Sequence, residues 1–171
     1  MRAGVSPGPS TWGDFGAGRG AFTLALAELL GPASHIVAVD RDAGAVREAA
    51  RAVSARFPDV RVEALAADFT RPLPDSLPPL DGAVMANALH FIPDEHKVPV
   101  VASLRARLRP GARLLLVEYN VDRGNLWVPH PLSYARWEQV AARAGFASTR
   151  LLATRPSSFL REFYAAESLL K

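Results

Sequence analysis

Apolar runs of strand length, separated by stretches of helical periodicity, restrict this chain more than any other feature. His35-Ile-Val-Ala-Val39 and Arg113 to Tyr119 (RLLLVEY) are nearly continuous in apolar character and do not alternate, as expected of strands buried on both faces. Between and around them the apolar residues recur at helical spacing. In Ala21 to Leu30 they are Phe22, Leu26, Leu29 and Leu30, and Gly31-Pro32 stops the run. Asp42 can cap a helix reaching about Arg56, before Pro58. Further strands are expected at Ser10 to Phe15, Arg61 to Ala66 and Gly82 to Ala86, and further helices from about Glu95 to Leu108 and from a Ser133 cap to Gly145. Ser148 to Thr154 and Phe159 to Ala166 read as a closing strand pair. Strands alternating with helices mean a mostly parallel, doubly wound sheet with helices on both faces and an antiparallel finish.

The 171 residues are expected to form a single domain, 1–171, with no internal repeat. Residues 71–80 (RPLPDSLPPL) carry four prolines and read as a surface loop. No run approaches the roughly 18–20 apolar residues of a membrane span, and Met1-Arg2-Ala3-Gly4 lacks a secretory h-region, so a cytoplasmic address is expected. With no cysteine, disulfide scaffolds, thiol catalysis and Cys-containing zinc sites are excluded. The +3 net charge comes from eighteen Arg against two Lys, scattered among carboxylates, so a nucleic-acid partner is not expected. The densest set, Arg105, Arg107, Arg109 and Arg113, reads as a solvated helix end.

In parallel sheets ligands bind at the carboxyl ends of the strands. The residues there are Asp14 to Gly20, Asp40, Asp68, Asn87 and Glu118 to Asn120. The glycine loop Asp14-Phe-Gly-Ala-Gly-Arg-Gly20 permits close approach of a ligand to main-chain N–H groups. Its glycines alone do not separate a dinucleotide binder from other nucleotide binders. Asp14 favours the second class, because a carboxylate beside the loop repels a pyrophosphate and suits an ammonium group. Asp40, 26 residues on, can accept from ribose hydroxyls, and Asp68, 28 residues further, from an adenine amine, with Phe69 beside the ring. Asn87 offers a carbonyl to an ammonium group. The matching ligand has an amino acid end, a ribose, an adenine and no phosphate, as S-adenosylmethionine does. Blander readings coexist: a helix entry for Asp40, a loop carboxylate for Asp68, a core plug for Phe69, a helix cap for Asn87.

Through Asp14 to Gly20, Val39-Asp40, Ala67-Asp68-Phe69 and Asn87-Ala-Leu-His-Phe91, in order, the chain resembles the class I S-adenosylmethionine-dependent methyltransferases over about Thr11 to Ala166. The resemblance implies a seven-stranded sheet whose last strand is antiparallel. It implies that the backbone of Gly16, Ala17 and Gly18 packs on the methionine part and that Asp40 binds ribose. Arg41 would flank the adenine, Asp68 and Phe69 would hold its edge and face, and Asn87 would touch the methionine end. His90 is the candidate catalytic base, against the alternative of a histidine packed at a helix start. Tyr119, Asn120, Trp127, His130 and Tyr134 are candidates for the acceptor pocket. A small organic acceptor and S-adenosylmethionine are the expected partners, a homo-oligomer is allowed, and no metal site is expected. About ten residues precede the first strand, so a lid is expected from residues 71–80, from 120–132 or from a partner subunit; the alternative is a pocket left open for a large acceptor such as a protein side chain. Two alternatives stand: a nicotinamide-dependent oxidoreductase, and a cofactor-binding module without turnover.

Overall fold

The computed structural model describes all 171 residues. Strands β1 (Thr11–Phe15), β2 (His35–Asp40), β3 (Arg61–Ala66), β4 (Leu80–Ala86), β5 (Leu108–Tyr119), β6 (Ser148–Pro156) and β7 (Glu162–Leu169) form one sheet in the order β3-β2-β1-β4-β5-β7-β6. The first five pair in parallel, and β7 runs antiparallel between β5 and β6. Helices α1 (Ala21–Leu30) and α2 (Ala43–Arg56) bury Leu26, Ala27, Leu30 and Val53 against Trp12, Ile36, Val84 and Leu115 on one face. Helices α3 (Asp94–Arg105) and α4 (Tyr134–Arg143) bury Val101, Leu104, Trp137 and Ala141 against Phe15, Val37, Met85 and Leu116 on the other. The expected doubly wound architecture is therefore present, and no helix is long and apolar enough to cross a membrane.

Three local expectations need correction. The fifth strand begins at Leu108, five residues before Arg113, because Leu80 already pairs with Leu108. Pro110 has no N–H to give a ladder and Gly111 takes a positive φ of 77°, so the extra residues bulge out and pairing resumes at Arg113. The arginines nearby are not a helix end: Arg107 donates to Leu73 O at 2.7 Å and Arg109 pairs with Asp81 at 2.6 Å. Ser133 precedes α4 without a side-chain cap; Asn120 Oδ1 instead accepts from Tyr134 N at 3.0 Å. Asp42 does cap α2, accepting from the N–H groups of Gly44 and Ala45.

Packing between β1 and β4 is tight at one glycine. A Cβ on Gly82 would lie 2.5 Å from the Trp12 ring, which is 3% exposed and cannot swing away. We expect Gly82→Ala to cost about 1–3 kcal/mol by overpacking, read as a lowered melting temperature. Ligand affinity at the far, carboxyl end of the sheet should stay within twofold; an unchanged melting temperature would show that the sheet yields there.

Candidate active site at the carboxyl ends of the strands

The glycine loop is fixed by the end of the neighbouring strand. Gly16 and Ala17 both donate to Val39 O, at 2.9 and 3.1 Å, and Gly18 N donates to Asp40 Oδ2 at 2.9 Å. Gly16 has φ 81°, and a Cβ there would sit 2.4 Å from the Ala88 methyl. Only glycine lets this turn lie against the loop that follows β4. Asp40 spends its other oxygen on Asp42 N at 2.9 Å. Each carboxylate oxygen keeps a second acceptor site, so the side chain that orders the loop can also take hydroxyl donors.

A cavity of about 390 Å³ opens above this loop, lined by Gly16, Gly18, Asp40, Arg41, Ala67, Asp68, Phe69, Thr70, Asn87, Ala88, Phe91 and Ile92. Seven of the nine residues read from sequence as cofactor-binding thus line one space: Gly16, Gly18, Asp40, Arg41, Asp68, Phe69 and Asn87. Phe69 meets Phe15 edge-on at 6.4 Å, so it both plugs the core and walls the cavity. Asp68 Oδ1 accepts from Thr70 N and Thr70 Oγ1; these bonds, led by the hydroxyl, hold its carboxyl below the usual range. Its Oδ2 lies 3.8 Å from exposed Arg71. Asn87 adopts φ 52°, its N–H donates to Val117 O at 2.9 Å, and its buried Oδ1 has no partner.

Asp14 and Ala17 do not line this cavity. Ala17 is 8% exposed and packs with Ala38 and Val46, contributing its N–H to the loop instead. Asp14 is 1% exposed and its Oδ2 accepts from Thr23 Oγ1 at 2.6 Å. Burial raises its carboxyl to about 7, against the lowering effect of the Thr23 bond and with a further push from Asp40. Asp14 thus fastens the start of α1 beneath the loop. The carboxylates in the cavity are Asp40 and Asp68.

The folded chain keeps the Asp14 proton to higher pH than the unfolded chain does. Stability from this group is therefore full at low pH, falls between about pH 4 and pH 7, and levels off above, by on the order of a few kcal/mol. We expect Asp14→Asn to remove that fall, so that its melting temperature gains on the parent as pH rises from about 5 to about 8. A constant difference across that range would refute the assignment.

His90 sits beside the cavity in a built environment. Glu118, fully buried at the end of β5, accepts from His90 Nδ1 at 2.7 Å through Oε2 and from Leu89 N and His90 N at 2.9 and 3.2 Å through Oε1. The imidazole packs on Phe91 at 4.3 Å and lies 6.2 Å from the Tyr119 ring. His90 is 3% exposed, and Nε2, with no protein partner, is not among the buried orphan atoms. A His–Glu pair of this kind fixes one tautomer and leaves Nε2 as an acceptor. Sequence reasoning marked Glu118 as a strand-tip carboxylate without joining it to His90. The signal was the parallel pairing of β4 and β5, Ala86 opposite Val117, which brings the residues after Ala86 beside Glu118.

The candidates for the acceptor pocket are dispersed. Trp127 is 70% exposed on a turn held by Asn125. Asn120 joins Glu162 to the start of α4. His130 O accepts from buried Lys97 at 2.7 Å and His130 N donates to His90 O at 3.0 Å, pinning that loop against the histidine. Tyr119 stacks on Phe163 at 4.2 Å.

A methyltransferase domain family matches residues 14–111, from Asp14 at the glycine loop through the bulge in β5. The chain belongs to that methyltransferase family. The match covers the cavity-lining residues, and it removes the nicotinamide-dependent alternative. Acetylserotonin O-methyltransferase of Mus musculus is 30% identical over 81% of this chain and 39% of its own length; the chain thus spans well under half of the curated relatives it matches. Among solved structures, a SAM-dependent methyltransferase from Aquifex aeolicus superposes with TM-score 0.72 at 20% identity, covering 98% of this chain and 85% of that one. A methyltransferase of calicheamicin biosynthesis, in its SAH-bound form, gives TM-score 0.74 at 24% identity, covering 99% of this chain and 51% of that one. At these identities the structural likeness concerns the fold.

Proposed function

We propose that this chain transfers a methyl group from S-adenosylmethionine to a small organic acceptor, with His90 as the base that receives the acceptor's proton. The observation that carries the reading is the convergence of Gly16, Gly18, Asp40, Asp68, Phe69 and Asn87 on one cavity. The residues suit an adenosyl group with an amino acid end. Asp40 has acceptor capacity left for ribose hydroxyls, and the Asp68 carboxylate can take an adenine amine beside the Phe69 ring. The unpartnered Oδ1 of Asn87 can take an ammonium group. When bound, S-adenosylmethionine supplies a methyl group already activated by its sulfonium charge.

Positioning supplies most of what the protein must add, worth up to about 7–11 kcal/mol in favourable cases. Asp40 and the glycine loop fix the ribose end, and Asn87 marks the end nearest His90, three residues on. Glu118 holds His90 Nδ1 so that Nε2 takes the proton of an acceptor hydroxyl or amine.

Calorimetric titration with S-adenosylhomocysteine and with NADH, followed by a radiolabelled methyl-transfer screen over a metabolite panel, tests this. Micromolar S-adenosylhomocysteine affinity with negligible NADH binding is expected. Binding of NADH in its place would end the reading.

A further inference from the structure

Next to the adenosyl cavity lies a second and larger one, of about 590 Å³, and the two share Asn87. Its walls come from the α1 face of the sheet. The register sets Val117 opposite Ala165 and Tyr119 opposite Phe163 across β5 and β7, then Ala165 opposite Ala153 and Phe163 opposite Arg155 across β7 and β6. Residues directly opposite in antiparallel strands project to the same face. Val117, Ala153, Ala165, Phe163 and Arg155 therefore share one surface, with Phe22 of α1 beside it. An aromatic run, Phe91–His90–Tyr119–Phe163, links the wall of the first cavity to the wall of the second, with ring separations of 4.3, 6.2 and 4.2 Å.

This second cavity has one sign of side-chain charge. No aspartate or glutamate lines it, and its one charged side chain is Arg155. Arg155 differs from its strand neighbour Arg150, which is engaged by Glu167 at 2.5 Å; no carboxylate stands within ion-pair distance of Arg155. Two residues on, Ser157 Oγ already accepts from Phe159 N and Leu160 N, which leaves its hydroxyl proton to donate.

We infer that this cavity is the acceptor subsite and that it takes a flat, largely apolar molecule carrying a carboxylate. The methyl-accepting atom lies at the Asn87 end and the carboxylate meets Arg155. The word acceptor rests on the methyl-transfer reading above; the binding of an aromatic carboxylate does not. A guanidinium pairs with a carboxylate through two parallel hydrogen bonds, and Arg155 stands exposed at the rim of the cavity, free to make them. From β4 to β6 is three strand spacings, about 14 Å, shortened by the Arg155 side chain, so the span left suits one or two fused rings. A cationic acceptor would meet Arg155 as a like charge.

The test uses 2-naphthoate and its neutral counterpart 2-naphthamide, titrated into the full chain with S-adenosylhomocysteine present. Naphthoate should bind at least about tenfold more tightly. Arg155→Gln should bring naphthoate to the level of naphthamide while naphthamide binding holds. Ala153→Phe, at an exposed position on the cavity wall, should abolish both probes with S-adenosylhomocysteine affinity unchanged. Equal binding of the two probes, or discrimination that survives Arg155→Gln, overturns the inference, as does retention of both probes by Ala153→Phe. If the probes behave as expected but S-adenosylhomocysteine does not bind, the methyl-transfer reading falls and the carboxylate site stands. If S-adenosylhomocysteine binds and the probes fail, the reverse holds.

Discussion

His90→Asn is expected to lower kcat for methyl transfer by about 10²–10⁴-fold while S-adenosylhomocysteine affinity stays within twofold. Asparagine can still donate an amide hydrogen to Glu118, so the loop after β4 keeps its anchor. What disappears is a neutral nitrogen at the position of Nε2. A base acts only on an acceptor that arrives protonated, which gives the experiment its control: across acceptors with progressively more acidic hydroxyls, the deficit should shrink. If His90 only packs against Phe91 and Tyr119, the variant will lose stability and affinity together and the deficit will not track acceptor acidity.

Asp40→Ala should weaken S-adenosylhomocysteine binding by at least about tenfold and up to about a hundredfold. The loss has two sources that the structure separates. One is the hydroxyl-accepting capacity of the carboxylate; the other is its hold on Gly18 N and Asp42 N, at 2.9 Å each. Asp40→Asn distinguishes them. An amide oxygen can keep one backbone donor, so this variant should retain more of the loop's order while losing charge-assisted bonding to the ligand. The parent's affinity retained in Asp40→Ala, with a native circular dichroism spectrum, would remove the ribose assignment.

The layout of the site was legible from sequence because strand ends were. Continuous apolar runs ending at Asp40 and near Ala86, and glycines after Phe15, marked the carboxyl edge of a parallel sheet. Of the nine residues read as cofactor-binding, all but Asp14 and Ala17 line the first cavity. Asp14 lies outside that lining because strand-end position does not reveal which way a side chain turns; the contact with Thr23 nine residues later decides that. Glu118 could be seen as a carboxylate but not as the partner of His90, since the pair lies 28 residues apart and meets only through β4–β5 register. The strand from Leu108 was hidden by Pro110-Gly111, which signals a stop by local propensity and became a bulge because tertiary pairing continued past it. The second cavity is built from three strands, the residue after β4 and the start of α1, so no local pattern announces it.

The position of β7 has a consequence for how the molecule is made. It follows β6 in the chain, yet it lies inside the sheet, with β5 on one side and β6 on the other. Until it emerges, β5 presents an open edge and β6 has nothing to pair with. Both the Arg155 wall and the Phe163 stack must then wait on the segment Glu162–Leu169. A nascent polypeptide stalled before Glu162 would hold a near-complete first cavity and lack the Phe163 wall of the second.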